Sequence, residues 1–267
     1  METDVAFERI REHWRQVAAA VDPADLAHAP TSSDLHMRDL ELQAILPHLR
    51  PEDHVLDVGC GTGFSAFHFA ARCQRVLAVD YAEALIEKAR AAQAHQGGPA
   101  NLEFRLASLL GEEPLPPGPF DVVVSQRCLI NLPHWEAQQQ ALQRIARILQ
   151  PGGRLLLVEG VLEPLDRLNA IRTAVGLDPI KVVWYNRFFQ QEQLEAELHR
   201  WFTITAVESL GLYLYLTRIL HPLIVAPEAP RHASHINEAA RRLAEATPGA
   251  PFAELGYNRL YVCTRRT

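Results

Sequence analysis

Short apolar runs alternate along this chain with segments of helical periodicity. Strands are predicted at residues 55–58, 75–79, 101–107, 120–125, 154–159, 202–210 and 258–264. Helices with one apolar face are predicted at residues 64–71, 83–94, 135–149 and 190–201. Apolar strands alternating with amphipathic helices indicate an α/β fold, a doubly wound, mostly parallel sheet of seven strands covered on both faces.

The flanks of this pattern are less regular. Apolar residues at helical spacing predict two helices, at 5–21 and 35–49, and hence a helical N-terminal cap over residues 1–50. Residues 51–160 form the predicted core, in which residues 151–153 make a turn. Residues 161–267 complete the sheet and carry two irregular insertions, 161–189 and 211–250, the second with a helix at 235–246. We expect both insertions to cover the site.

Composition narrows the class of protein. The 267 residues carry a net charge of −6 and are 48% hydrophobic, which fits a globular protein and weighs against one that coats nucleic acid. The four cysteines form no C-x-x-C pair, so we expect reduced thiols and no metal site. Because no apolar run approaches a membrane span and the acidic start lacks a signal-peptide pattern, we expect a cytoplasmic protein with no membrane partner.

The turn after the first predicted strand is made almost entirely of glycine. Gly59, Gly61 and Gly63 stand at alternate positions, directly before a predicted helix. Glycine lets a ligand approach the backbone, and a helix N-terminus offers free N–H groups. The spacing is G-x-G-x-G rather than the G-x-G-x-x-G of dinucleotide-binding turns, so an NAD-dependent oxidoreductase is disfavoured. An acid, Asp80, follows the second strand.

Four segments resemble class I S-adenosylmethionine-dependent methyltransferases, in the order and at the separations of that family. They are residues 55–63, 79–80, 120–123 and 149–154. The resemblance implies a Rossmann-like fold and S-adenosylmethionine as cofactor. It places the glycine turn against the cofactor's methionine part, with Asp57 nearby or, alternatively, holding the turn's own N–H groups. At the carboxyl end of the second strand, Asp80 can accept both ribose hydroxyls and also cap the next helix. Tyr81 could pack on the adenine or be an ordinary loop aromatic.

The resemblance extends to residues on neighbouring loops. The other predicted cofactor contacts are Arg38, Cys60, Ser108, Leu109, Ser125 and Gln126. Ser108 stands where the family usually has an aspartate for the adenine amino group, which makes that contact a departure from the pattern. Arg38 could instead be a solvent-facing residue of its helix.

The acceptor is expected beyond the fourth strand, because ligands of such sheets bind at the carboxyl ends of the strands. Arg127 could bind an acceptor anion or pair with an acid of the N-terminal helices. Asn131 borders the transferring methyl, and His134 could act as a base or cap the next helix. Further predicted substrate contacts are Arg172, Trp184, Tyr185, Asn186, Tyr213 and Arg218, although Trp184 and the tyrosines could instead be core residues of the cap.

These residues predict an enzyme that methylates an O or N atom of a small polar metabolite, which could carry an anionic group. No nucleic-acid partner is expected, and the sequence does not decide between a monomer and a homodimer. The alternatives are an RNA- or protein-modifying methyltransferase and a non-catalytic S-adenosylmethionine-binding protein. A general base is needed for a hydroxyl acceptor and much less for a neutral amine or a carboxylate.

Overall fold

A seven-stranded sheet forms the centre of the molecule in the computed structural model, which describes residues 2–110, 115–247 and 251–266. The strands are β1 (His54–Val58), β2 (Arg75–Asp80), β3 (Leu102–Leu106), β4 (Phe120–Gln126), β5 (Leu149–Gly160), β6 (Phe202–Ser209) and β7 (Asn258–Arg265). Their order is β3-β2-β1-β4-β5-β7-β6, and β7 runs antiparallel to both of its neighbours. The predicted Rossmann-like, mostly parallel sheet is confirmed.

Helices cover both faces of the sheet. They are α1 (Glu2–Ala19), α2 (Leu35–Ile45), α3 (Phe64–Ala70), α4 (Glu83–Gln96), α5 (Trp135–Ile148), α6 (Leu162–Ala174), α7 (Gln191–Trp201), α8 (Gly211–Tyr215), α9 (His221–Val225) and α10 (His235–Ala246). The core on one face includes Leu142 of α5 and Leu198 of α7, while the core on the other includes Ile45 of α2 and Phe69 of α3. Burial on both faces explains the unbroken apolar runs of the central strands.

The two segments flanking the core lie over its carboxyl-terminal edge. Ala18 of α1 packs in a small apolar cluster with Leu85 of α4. Met37 and Leu40 of α2 pack in another with α6, α8 and α10. Both clusters place side chains of the N-terminal helices above the strand ends, where ligands of such sheets bind.

Two predictions of local structure were wrong. Residues 211–225, expected to be irregular, form α8, a π-helical turn at Leu216–Leu220, and α9. Helical periodicity was hard to see there because the segment is apolar on most sides. Residues 151–153, expected to be a turn, lie within β5 at an irregularity: Leu149 pairs with Phe120 but Arg154 pairs with Val122. Residues 248–250 of the second insertion lie outside the described residues.

The last glycine of the turn is required by packing. Gly63 has φ +83°, and a Cβ atom there would lie 2.5 Å from the ring of Phe104. Gly61 has φ +56° but no heavy atom within 4 Å of such a Cβ. We therefore expect Gly63→Ala to lower the free energy of unfolding by about 2–4 kcal/mol and Gly61→Ala by about 1–2 kcal/mol. Urea unfolding measures both, and equal losses would contradict the packing argument.

Candidate cofactor and acceptor site

A cleft opens at the carboxyl ends of β1, β2 and β4, where the strand order reverses direction. Its inner wall is the glycine turn at residues 59–62 together with Asp57 and Asp80. Its outer wall includes Trp14 of α1 and Tyr185 of the loop after α6. The sheet, the N-terminal helices and the first insertion therefore all contribute to one site.

Hydrogen bonds fix the shape of the glycine turn. The N–H groups of Gly59 and Cys60 both donate to the carbonyl oxygen of Val79, at 2.8 and 3.0 Å. Asp80 Oδ2 accepts from the Gly61 N–H at 2.9 Å, and Asp80 Oδ1 accepts from the Ala82 N–H at 2.8 Å. Asp80 thus joins the turn to the start of α4, so the turn is held by Asp80 and not by Asp57.

Two carboxyl groups lie close together at the bottom of the cleft. Asp57 and Asp80 are 3% and 6% exposed. Burial, and then the charge of Asp80, raises the pKa of Asp57 to about 7. Burial also raises the pKa of Asp80, against the backbone N–H groups that favour its ionised form. Such a pair is costly when both members are charged, and a cation bound in the cleft would relieve that cost.

Side chains at the end of β4 connect the cleft to α2. Gln126 accepts from the Ser65 hydroxyl at 2.8 Å and donates to Glu41 Oε2, also at 2.8 Å. Arg127 Nε lies 3.3 Å from the same Glu41 oxygen, in a pair whose side chains are 25% and 1% exposed. Of the two roles predicted for Arg127, the ion pair with an N-terminal helix is the one found.

Glu159 holds the segment that follows β4. This fully buried residue accepts hydrogen bonds from the backbone N–H groups of residues 128–130, at 2.8–3.2 Å, and from the Ser125 hydroxyl at 3.0 Å. Arg127, immediately before that segment, adopts a left-handed φ of 53°. Because residues 127, 128, 130 and 131 all line the cleft, Glu159 positions the acceptor wall without reaching the cleft itself.

The first insertion meets this wall and α1. Asn131 Nδ2 donates to Asn186 Oδ1 at 2.6 Å, and both residues line the cleft. Tyr185 stacks on His13 of α1, with ring centroids 4.2 Å apart. Residues 185 and 186 of the first insertion thus line the cleft, next to α1 and the segment after β4.

The comparisons with known proteins agree with this geometry. Residues 55–153 match the model of a methyltransferase domain. The chain is 31% identical over 155 residues to the ubiquinone/menaquinone biosynthesis C-methyltransferase of Ectopseudomonas mendocina, covering 57% of this chain and 58% of that one. It is 36% identical over 138 residues to the ribosomal protein L11 methyltransferase of Thermus thermophilus, covering 51% and 49%. Over residues 55–153 the chain is therefore similar to S-adenosylmethionine-dependent methyltransferases of class I.

The match to these methyltransferases is partial, since the chain spans about half of the length of each curated relative. A solved structure, the N-methyltransferase NodS of Bradyrhizobium japonicum with S-adenosylhomocysteine, shares the fold with a TM-score of 0.54 and 15% identity. That alignment covers 96% of this chain and 98% of the other. S-adenosylmethionine is therefore the cofactor, as the resemblance of the four segments implied.

The cleft fits this cofactor. Two buried oxygens, Asp57 Oδ2 and Tyr81 Oη, have no hydrogen-bond partner among the described residues, and both residues line the cleft. A carboxylate oxygen accepts hydrogen bonds from an ammonium group, and a phenol can donate to a ring nitrogen or a hydroxyl. The methyltransferase cofactor carries all of these groups, so its binding would satisfy oxygens that the protein leaves unsatisfied.

Most of the predicted cofactor residues line the cleft. They are Arg38, Asp57, Gly59, Cys60, Gly61, Asp80, Tyr81 and Gln126. Arg38 is 6% exposed and lies over the ring of Phe64, so it is not the solvent-facing residue of the alternative. Burial raises the pKa of the Cys60 and Cys128 thiols well above the ordinary value, which keeps both neutral.

Four predicted cofactor residues do not line the cleft. Gly63 packs against Phe104, and Ser125 is fully buried on Glu159. Ser108 and Leu109 are 8% and 7% exposed and do not line the cleft. The proposed adenine contact of Ser108 therefore has no support in the structure.

The predicted substrate residues divide sharply. Tyr185 and Asn186 line the cleft. Tyr213 instead packs in the apolar cluster that α2 forms with α6, α8 and α10, and Arg172 donates to the carbonyl oxygen of Arg218. Tyr213 is fully buried, and Arg218 pairs with Asp34. Trp184 is 52% exposed, with the Arg9 guanidinium 4.3 Å above its ring. None of these four residues lines the cleft, and Tyr213 is a core residue of the cap, as the alternative to substrate binding predicted.

His134 is a capping residue. It is the N-cap of α5, its Nδ1 accepts from the Ala137 N–H at 3.2 Å, and it does not line the cleft. We therefore expect His134→Ala to lower the free energy of unfolding by about 1 kcal/mol and to leave the affinity for S-adenosylhomocysteine unchanged. Gln140→Ala, at an exposed position of the same helix, is the control. A selective loss of affinity in His134→Ala would restore a role in the cleft.

Several residues that line or support the cleft were not predicted from the sequence. Trp14 and Thr31 reach the site from the N-terminal cap, and Ile130 from the segment after β4. Glu159 had a usable signal, since it is a lone acid at the end of an apolar strand. Trp14 had none, because its position depends on how α1 packs on α4.

The described residues contain neither a candidate metal centre nor a membrane-spanning helix. They contain no group of three or more His, Cys, Asp or Glu side chains able to hold a metal ion. Within the same residues no helix is long and apolar enough to cross a membrane.

Proposed function

We propose that this protein is an enzyme that transfers the methyl group of S-adenosylmethionine to an O or N atom of a small polar metabolite. The observation that carries the proposal is the pair of unsatisfied oxygens on Asp57 and Tyr81, beside the glycine turn. Buried polar groups without a partner are rare and costly in folded proteins, and here both lie where the cofactor of the family would satisfy them.

When bound against the glycine turn, Asp57 and Asp80, the cofactor would supply an electrophilic methyl group to a lone pair of the acceptor. Asp57 and Asp80 orient the cofactor from the inner wall of the cleft, and Trp14 and Tyr185 exclude water at its outer wall. Asn131 Nδ2 is used by Asn186, which leaves the Asn131 amide oxygen to accept from an N–H or O–H of the acceptor.

The character of the cleft favours an acceptor that needs little help from a base. No histidine lines the described part of its wall, and its two arginines are engaged, Arg127 with Glu41 and Arg38 with Asp39. A neutral amine suits such a site better than an alkyl hydroxyl. Because Glu41 balances the charge of Arg127, an uncharged polar acceptor also fits the cleft better than an anionic one.

A protein acceptor is the second candidate, favoured by the 36% identity to the ribosomal protein L11 methyltransferase. Against it, aromatic side chains of α1 and the first insertion narrow the mouth of the cleft. The C-methyltransferase relative adds carbon as a possible acceptor atom.

Two measurements test the proposal. S-adenosylmethionine and S-adenosylhomocysteine should raise the melting temperature in a titration, while NAD should not; stabilisation by NAD alone would refute the assignment. Incubation of a cell extract with protein and methyl-labelled cofactor should then put label in the small-molecule fraction. Label confined to the acid-precipitable fraction would favour the macromolecular acceptor instead.

A further inference from the structure

A second cavity opens at the same edge of the sheet as the cleft, beyond α2. It has a volume of about 720 Å³, within the range of about 300–1,000 Å³ of small-molecule sites. Its floor is formed by the ends of β5, β6 and β7, and its sides by α2, α8 and the end of α10. None of the residues predicted to bind cofactor lines it, and of those predicted to bind substrate only Tyr213 does.

The lining of this cavity has a definite chemical character. Leu40 and Ala44 of α2, Val158 of β5 and Leu260 of β7 give it an apolar interior. The charged side chains on its described wall are all carboxylates: Glu41, Glu208 and Glu245. Glu208 pairs with His48 and Glu245 with Arg241, but neither partner lines the cavity. Such a lining suits a molecule with an apolar body and disfavours an anion.

Glu41 separates the cavity from the cleft. Its Oε2 bonds Gln126 and Arg127, which line the cleft, and its Oε1 accepts from Asn258 Nδ2 at 2.6 Å on the cavity side. The Glu41 side chain is 1% exposed, so this hydrogen-bonded partition is a fixed part of the core. A molecule in the cavity would therefore bind beside the cofactor and not in its place.

We propose that this cavity is a second ligand site, which binds a small molecule with an apolar body and a neutral or cationic polar group. The site is independent of the acceptor and of the methyl transfer proposed above. Its ligand contacts α2, the helix whose residues Arg38 and Glu41 support the cleft wall.

The test uses a neutral apolar fluorophore, N-phenyl-1-naphthylamine, and the anionic 1-anilinonaphthalene-8-sulfonate. Both are titrated into the full-length protein saturated with S-adenosylhomocysteine. We expect saturable binding of the neutral probe, at least about tenfold tighter than that of the anionic probe. Weaker or equal binding of the neutral probe would overturn the proposed ligand class.

Variants place the probe. Ala244→Trp on α10 and Ala44→Trp on α2 fill the cavity from two different helices, and each should weaken neutral-probe binding by about tenfold or more. Ala239→Trp, on an exposed position of α10, is the matched control and should bind the probe normally. Unchanged affinity for S-adenosylhomocysteine in each variant shows that it folds. Probe binding that survives both substitutions would refute the second site. Much tighter probe binding to the protein without S-adenosylhomocysteine would also refute it, because the two molecules would then compete for one site.

Discussion

Replacing Asp57 by asparagine should weaken the binding of S-adenosylmethionine by about 1.5–3 kcal/mol, the contribution of a hydrogen bond to a charged group. The reason is the buried Oδ2 atom, which has no partner among the described residues and faces a cationic ligand in the proposed complex. Asparagine keeps the shape but removes the charge. Isothermal titration calorimetry measures the difference in affinity.

The same substitution should change the pH dependence of binding. Because the pKa of Asp57 is raised to about 7, the free protein holds a proton there at pH 6. A bound ammonium group favours the ionised carboxylate, so wild-type affinity should rise between pH 6 and 8 and binding at pH 6 should release a proton. Calorimetry in buffers of different ionisation enthalpy detects that proton, and Asp57→Asn should not release it.

The folded protein without cofactor should respond to pH in the opposite direction. A carboxyl group with a raised pKa stabilises the fold fully below its unfolded value of about 4 and loses that contribution as pH rises through about 7. The wild-type melting temperature should therefore fall more than that of Asp57→Asn between pH 5 and 8.

The control for the affinity measurement is Asp166→Asn, an exposed change on α6. If Asp166→Asn lowered the affinity for S-adenosylmethionine as much as Asp57→Asn does, the role of Asp57 would be refuted.

Removing the Asp34 carboxylate by Asp34→Ala should lower the free energy of unfolding by about 3–5 kcal/mol, the cost of breaking a buried ion pair. Asp34 is 2% exposed and pairs with Arg218 of the π-helical turn. It also accepts from the Tyr213 hydroxyl at 2.8 Å and, as N-cap of α2, from the Met37 N–H at 3.1 Å. The substitution would leave the Arg218 cation buried without its partner.

Urea unfolding measures this loss, and an exposed pair provides the comparison. Arg242→Ala removes the ion pair with Glu238 on α10, whose side chains are 70% and 40% exposed, and should cost less than about 1 kcal/mol. Burial raises the pKa of Asp34, but the Arg218 charge and the hydrogen bonds from Arg218, Tyr213 and Met37 together outweigh it, so the net shift is downward. The stabilisation is thus complete above about pH 4 and is lost as pH falls further. Equal losses for Asp34→Ala and Arg242→Ala would contradict the role of the buried pair.

The acidic partners of the arginines near the cleft could not be predicted from the sequence. Arg127, Arg172 and Arg218 were all predicted to bind an acceptor, because cations in and around a cleft suit a polar ligand. A sequence does not reveal which acid each arginine will meet. Glu41, 86 residues before Arg127, and Asp34, 184 residues before Arg218, became their partners only through the packing of α2 against the sheet and the cap.

The sequence was enough to predict the seven strands, the helices of the core and the glycine turn, and its four matching segments supplied the resemblance to methyltransferases. The elements and the turn depend on local properties, namely the periodicity of apolar residues and the freedom of glycine at positive φ. The tertiary structure decided that Trp14, Tyr185 and Asn186 close the cleft, that Glu159 holds its acceptor wall, and that Glu41 divides it from a second cavity. Those contacts join segments far apart in the chain, and their geometry arises only when the helices pack on the sheet.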